Sequence, residues 1–450
     1  GAFCDCQSLK EIKLPENISE VPDDTFLGCT SLKRVTLPES VKVIGDSAFK
    51  MCEKLQRINF PEGLKYIKNK AFENCDGINE ISLPSSVKSI GDFAFSGCWN
   101  LFNIKFNENI KLIGNGAFSN CHSLNNVVIP NGLDKLGTSA FESCDSLTKV
   151  KLPDNIQVIP NNLFNGCGML KNISLPDGLK EIGKNSFALT NLNGIEIPES
   201  VEKIGDGAFQ HCSKLTGIVF GENIKELGDE IFGDCVNLQY ADLPKNLEKI
   251  PDMLFYNCGL LTNVKIPETV KVIGDGAFSG CECLKDVELP EELVYIGDNS
   301  FNECSSLEGI NLPKTLKNIG KGAFSNCSKL YKVHIPEGIK EIKDKTFLNC
   351  YDMIFATIPN SVEVIGEAAF NCCSSLVQID LPKNLKEIQN DAFMYCRNLD
   401  DVIFPNGLKK IGEGAFDGCV NFTNIEIPDS VEKIMPYAFS GCESLEKLKL

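Results

Sequence analysis

The chain has 450 residues, 43% of them hydrophobic, and carries a net charge of −17. That length can bury a large core, while the acidic field repels phosphate backbones and anionic headgroups, so no nucleic-acid partner is expected and bare membrane surfaces are poor partners. No apolar run approaches the roughly 18 residues of a membrane span, so this segment is not expected to insert directly into a membrane.

From the N-terminus, GAFCDCQSLK lacks the basic and apolar regions of a signal peptide, so any targeting segment is expected to precede Gly1. A periodicity starts at once. Phe3, Phe26, Phe49, Phe72, Phe95, Phe118, Phe141, Phe164 and Phe187 are each 23 residues apart, Phe209 follows after 22, and the 23-residue step then runs from Phe232 to Phe439. A fixed period of this size means a solenoid in which each repeat contacts its neighbours, not a row of globular domains.

One repeat, Ala48 to Lys70, reads AFKMCEKLQRINFPEGLKYIKNK. Its L-x-x-I-x-L-P part has the period of two of a short strand. In a later repeat Ile310 and Leu312 point inward, and Gly309 and Asn311 point out. Pro15, Pro38, Pro61 and Pro313 end the strand, with Asn107 and Gly221 as substitutes at that column. The I-G-x-x-A-F-x-x-C return is too short for a full α-helix and suits a turn plus one short helical turn. In the ninth repeat, SFALTNLNGIEIP from Ser186 to Pro198 lacks the cysteine and one turn residue, which predicts an irregularity near residues 186–209.

The joint occurrence of Ala48-Phe49, Cys52, Leu55, Ile58, Phe60-Pro61, Leu64 and Ile67, and of their counterparts along the whole chain, resembles the BspA-like, or treponemal-type, leucine-rich repeats. The fold expected is a single right-handed leucine-rich-repeat solenoid over residues 1–450, made of about twenty repeats. It would carry a parallel sheet on the concave face and short helical turns or irregular segments on the convex face, over about 90 Å at roughly 4.8 Å per rung. The chain opens inside a repeat at Gly1-Ala2-Phe3 and stops on an expected strand at Leu450 without a polar cap, so both ends look truncated from a longer protein. The resemblance implies a non-enzymatic surface or secreted module that adheres to host proteins such as matrix glycoproteins, or to other microbes.

There are 22 cysteines, and 19 share the column three residues after the Phe. Among these are Cys29, Cys52, Cys75, Cys98, Cys121, Cys144, Cys281, Cys304 and Cys327. Side chains stacked one per rung point the same way and lie about a strand spacing apart, whereas a disulfide needs facing β-carbons near 3.8 Å. The ladder therefore reads as buried free thiols that donate to a backbone carbonyl of the same or the next rung. Free thiols leave a cytoplasmic location open. Cys4, Cys283 and Cys372 fall off the ladder and belong to repeats too far apart to meet, so C-x-C at Cys281 and Cys283 lacks the further ligands of a zinc site.

No catalytic residue, metal or cofactor is expected. His122, His211 and His334 stand in separate repeats and separate columns, and the carboxylates read as a solvated face. Strings such as GDGAFSG, Gly274 to Gly280, imitate nucleotide loops but recur at the turn before every Phe, where backbone geometry explains them. More informative is the outward stripe of the sheet, mildly basic in the first ten repeats and mildly acidic in the last ten, where Tyr240 and Phe355 also lie. Trp99, the only tryptophan, occupies a normally polar column; Phe102 and Lys105 share its repeat, and His122 should stand one rung away. Trp99, Phe102, Lys105, His122, Tyr240 and Phe355 are thus the candidate contacts for a protein or glycoprotein partner. The alternative is a structural spacer or assembly scaffold without a specific ligand.

Overall fold

The computed structural model describes residues 1–449; the strand end expected at Leu450 lies outside them. The chain forms two compact units, Gly1–Leu227 and Gly228–Leu450. Both repeat one rung.

In most rungs the first part is the expected strand. Arg34–Thr36 and Glu80–Ser82 in the N-terminal unit, and Asn263–Lys265 and Gln378–Asp380 in the C-terminal unit, all read exposed, buried, exposed. Neighbouring strands pair in parallel with partners 23 residues apart, Glu11 with Arg34 and Ile12 with Val35. This register keeps every central apolar residue on the inner face, because slipping one residue would turn all of them outward. Each proline then starts a turn: the Pro61 carbonyl accepts the Leu64 N–H at 3.0 Å, and Pro38 accepts Val41 at 3.1 Å.

A second parallel sheet, not expected from the sequence, follows the turn. Its strands have only two residues, as in Val43–Ile44, Tyr66–Ile67 and Ser89–Ile90, and they pair rung to rung in both units. Two residues are too few to display a period of two. The ladder forms because the neighbouring rung presents the same dipeptide at the same height.

The expected helical turn is absent: no helix occurs among the described residues. On either side of the Phe the backbone goes left-handed, at Ser47 (φ 51°) and Met51 (φ 61°) around Phe49, and at Gly276 (φ 60°) and Gly280 (φ 76°) around Phe278. A left-handed residue every fourth position breaks any right-handed helical run. Tight turns take its place, with Lys50 donating to Ser47 O at 3.1 Å and Cys52 to Phe49 O at 3.1 Å. Between rungs, Ser47, Phe49 and Met51 donate to Asn69, Ala71 and Glu73 at 2.8–2.9 Å. The glycines of GDGAFSG therefore serve this backbone.

Inside the turns the phenylalanines stack as offset, nearly parallel rings. Phe49 and Phe72 have centroids 5.1 Å apart with planes at 4°, and Phe278 and Phe301 5.1 Å apart at 9°. These four rings are fully buried.

The shortened ninth repeat leaves its mark on the broad sheet. Three-residue strands stop at Lys149–Lys151 and resume at Gly217–Val219, while the two-residue ladder runs through unbroken, Val158 to Glu181 to Lys203, with one step of 22. The missing residue lies between the turn and the broad strand, so that strand is the part disturbed. Thr190 fills the cysteine column: its hydroxyl donates to Phe187 O at 2.7 Å and lies 3.2 Å from Cys212 Sγ. A second gap in the broad sheet, at Asp401–Phe404, has no counterpart in the repeat length.

Candidate interaction surface

The cysteine column is a ladder of free thiols. From Cys29 on, the thiols reach back to the Phe carbonyl of the preceding rung, and not to the same or the next one as expected: Cys29 to Phe3 O at 3.0 Å, Cys52 to Phe26 O at 3.2 Å, Cys75 to Phe49 O at 3.0 Å, Cys98 to Phe72 O at 3.2 Å. Cys121, Cys144, Cys281, Cys304 and Cys327 repeat the bond at 3.1–3.3 Å. The same carbonyl already accepts a turn N–H, and the thiol takes its second lone pair. Burial pushes the Cys98 thiol up to about 12, which keeps it a proton donor. Off the ladder, Cys4 is exposed, and Cys283 and Cys372 are half-buried; Cys372 occupies the left-handed position two after the Phe (φ 60°).

A second ladder went unread in the sequence. After the I-G pair, an Asp or Asn on one rung accepts the backbone N–H of the same column on the next: Asp23 from Asp46 at 2.7 Å, Asp46 from Asn69 at 2.8 Å, Asp275 from Asp298 at 2.8 Å. Part of the supposed solvated acidic face is thus structural. The signal was present, since Asp and Asn share that column and both offer a side-chain oxygen.

On the surface of the N-terminal unit, Trp99 is 56% exposed, and its ring meets His122 edge-on with centroids 5.8 Å apart. His122 Nδ1 lies 2.8 Å from Asp145 Oδ2, so Trp99, His122 and Asp145 form one chain over successive rungs of a single column. Phe102, 46% exposed, and Lys105 instead line a shallow groove of about 800 Å³ across three strands, together with Gln56, Arg57, Asn79 and Glu80. Trp99 is not part of that lining.

In the C-terminal unit, Tyr240 is exposed on Tyr240–Asp242 and stands five rungs from Phe355, so the two make no common site. Phe355 is half-buried and meets His334 edge-on at 5.8 Å; His334 Nδ1 lies 2.7 Å from Thr357 Oγ1. Beside Phe355 run Tyr331, Ile354 and Val377 in the column of Phe102, joined through N–H bonds from Ile354 to Tyr331 O (3.0 Å) and from Val377 to Ile354 O (3.2 Å). Phe355 stood out in the sequence, whereas these three did not. Reading that column down the repeats would have found them, because polar residues fill most of it.

Among the described residues, no three His, Cys, Asp or Glu side chains are placed to hold a metal ion, and no helix is long and apolar enough to cross a membrane.

A comparison with curated proteins gave no match. Among solved structures, a leucine-rich repeat protein from Bacteroides ovatus ATCC 8483 is 32% identical, with a TM-score of 0.69 over 82% of this chain and 91% of that one. A leucine rich cell surface protein from Faecalibacterium prausnitzii A2-165 is 28% identical, with a TM-score of 0.47 over 65% of this chain and 80% of that one. The BspA type leucine rich repeat region is matched by six overlapping copies, at residues 1–101, 65–188, 135–261, 180–307, 248–377 and 363–450. Matched from its first residue to its last, and built of parallel rungs with a phenylalanine stack and a thiol ladder, the chain belongs to the BspA-type leucine-rich repeat family.

Proposed function

We propose that this chain is a non-enzymatic interaction module of a cell-surface or secreted adhesion protein, which binds host or microbial glycoproteins through the outward face of its broad sheet and the rim beside it. The observation that carries the reading is the exposure of Trp99 and Phe102, each in a column that polar residues mostly fill. Large aromatic side chains held out on rigid strands and turns cost little further entropy on binding and are common anchors at interfaces. His122, fixed between Trp99 and Asp145, holds the indole from one side. The family supports the surface location, and a net charge of −17 disfavours nucleic acid as the ligand.

The test is binding of the full chain to immobilised matrix glycoproteins, measured by surface plasmon resonance. Trp99→Ala with Phe102→Ala should weaken a saturable signal by about tenfold or more. Unchanged affinity would remove both residues from the site.

A second reading, a spacer or assembly unit without a ligand, is favoured by the repeated backbone ladder of the returns, such as Phe26 to Ala48, Phe49 to Ala71 and Phe72 to Ala94 at 2.7–2.8 Å. Saturable binding of any glycoprotein to the isolated chain would sink it.

A further inference from the structure

The C-terminal unit carries an apolar cluster bordered on both sides along the solenoid by carboxylates. Tyr331, 51% exposed, Ile354, Phe355 and Val377, 43% exposed, occupy the outward columns of three successive rungs. On the rungs before them come Asp286, Glu288 and Glu308; Asp380 shares the rung of Val377, and Asp400 and Asp401 stand on the next. All six acids are exposed.

Elsewhere the molecule neutralises such groups across rungs: Lys321 pairs with Asp344 at 2.8 Å, Lys409 with Glu432 at 2.9 Å, Lys410 with Glu387 at 2.8 Å. Among the described residues none of the six carboxylates around the cluster has an ion-pair partner, although Lys285 and Lys332 stand in the same stretch. Asp401 is even held below the usual carboxylate range: burial works against its charge, but hydrogen bonds from Asn424 and Thr423 outweigh it. The cluster is therefore an apolar centre between two negative borders that have no ion-pair partners among the described residues.

We propose that this surface binds an extended segment of a partner protein with basic residues at both ends and apolar residues between them, lying across the strands. Six rungs separate the outer acids inclusively, five steps of about 4.8 Å, or roughly 24 Å. An extended chain covers that span in about seven residues at roughly 3.3 Å each. Lysine or arginine at either end would reach Asp286 and Glu288 on one side and Asp380 and Asp400 on the other, while the middle side chains pack on Tyr331 and Phe355. The charges steer and orient the segment, and the aromatic contact supplies most of the affinity. The inference rests on the chain being an interaction module but uses neither Trp99 nor Phe102.

The test uses the full chain and a fluorescein-labelled peptide, Lys-Lys-Thr-Leu-Thr-Phe-Thr-Lys-Lys, against the same peptide with glutamate at both ends, read by fluorescence anisotropy. The lysine peptide should bind saturably and about tenfold or more tighter than the glutamate peptide, and should weaken as salt rises from about 0.1 M to about 1 M, where the screening length falls from about 10 Å to about 3 Å. Tyr331→Ser with Phe355→Ser should weaken it about tenfold. Phe355 is half-buried, so a second variant, Asp286→Asn with Glu288→Gln and Asp380→Asn, all at exposed positions, should both weaken binding and flatten its salt dependence. Absence of saturable binding, equal binding of the two peptides, or unchanged binding by the charge-neutral variant would overturn the proposal. Trp99→Ala with Phe102→Ala should leave the peptide affinity unchanged; a loss there would move the site to the N-terminal unit. The glycoprotein measurement stands or falls separately.

Discussion

Truncating Phe301 to Ala tests where the stability resides. The ring is fully buried between Phe278, at 5.1 Å, and Phe324, at 5.4 Å, both nearly parallel to it. Emptying such a site costs about 3–5 kcal/mol for lost transfer energy and the cavity left behind. Two ring stacks, each worth about 0.5–1.5 kcal/mol beyond buried area, place this site at the upper end of that range. Phe3 is the control: it is 39% exposed and stacks on Phe26 alone, at 5.4 Å, so its truncation should cost about 1–2 kcal/mol. Because each rung is held by its neighbours, the damage should be local. Hydrogen exchange should speed up most at the Phe278 and Phe301 amides, which donate to Ser300 and Ala323 at 2.7 and 2.8 Å, with smaller changes several rungs away. Urea unfolding followed by circular dichroism supplies the magnitude. A cost for Phe301→Ala below about 2 kcal/mol, or one equal to that for Phe3→Ala, would refute the claim that paired neighbours set the energy of a rung.

Three further outcomes are expected. Cys98 and Cys212 are pushed up by burial to about 12 and about 11 from 9.0, so the unfolded chain loses these protons first. The stability they contribute is complete below pH 9.0 and falls as pH rises toward those values, by up to about 1.4 kcal/mol per pH unit and thiol; a urea midpoint unchanged between about pH 8 and about pH 10.5 would contradict this. Asp46→Ala should cost about 1 kcal/mol by orphaning the Asn69 N–H, whereas Asp46→Asn, which keeps the acceptor, should be nearly neutral in the same denaturation assay. Leu189 is 53% exposed and left-handed (φ 58°), so Leu189→Gly should raise the melting point through relief of about 1 kcal/mol of backbone strain; a lower melting point would show that the leucine makes a contact worth more than that strain.

The repeat itself was legible because each column does one job inside its own rung. Ile58 and Ile81 alternate with polar neighbours, so the broad strand could be read directly. Cys52 and Cys75 recur at one height, so their inability to form disulfides followed from spacing alone. Trp99 and Phe102 stood out as large side chains at polar columns, and 23 residues on from Trp99, His122 had to be its neighbour.

What stayed hidden depends on how one rung meets the next. The two-residue ladder through Val43–Ile44, the side-chain caps from Asp46 and its kin, and the left-handed residues around each Phe gain their meaning only when an identical rung is stacked beside them. The same holds for the surface. Sequence placed Phe355 on the outward stripe and Tyr331, Ile354 and Val377 in one column; only the tertiary structure decided how far each is exposed and that the acids on either side lack ion-pair partners among the described residues. The physical reason is that a period reports the environment of a residue within its own turn, whereas burial and charge pairing across rungs are set by side chains 23 residues away in the chain and roughly 5 Å away in space.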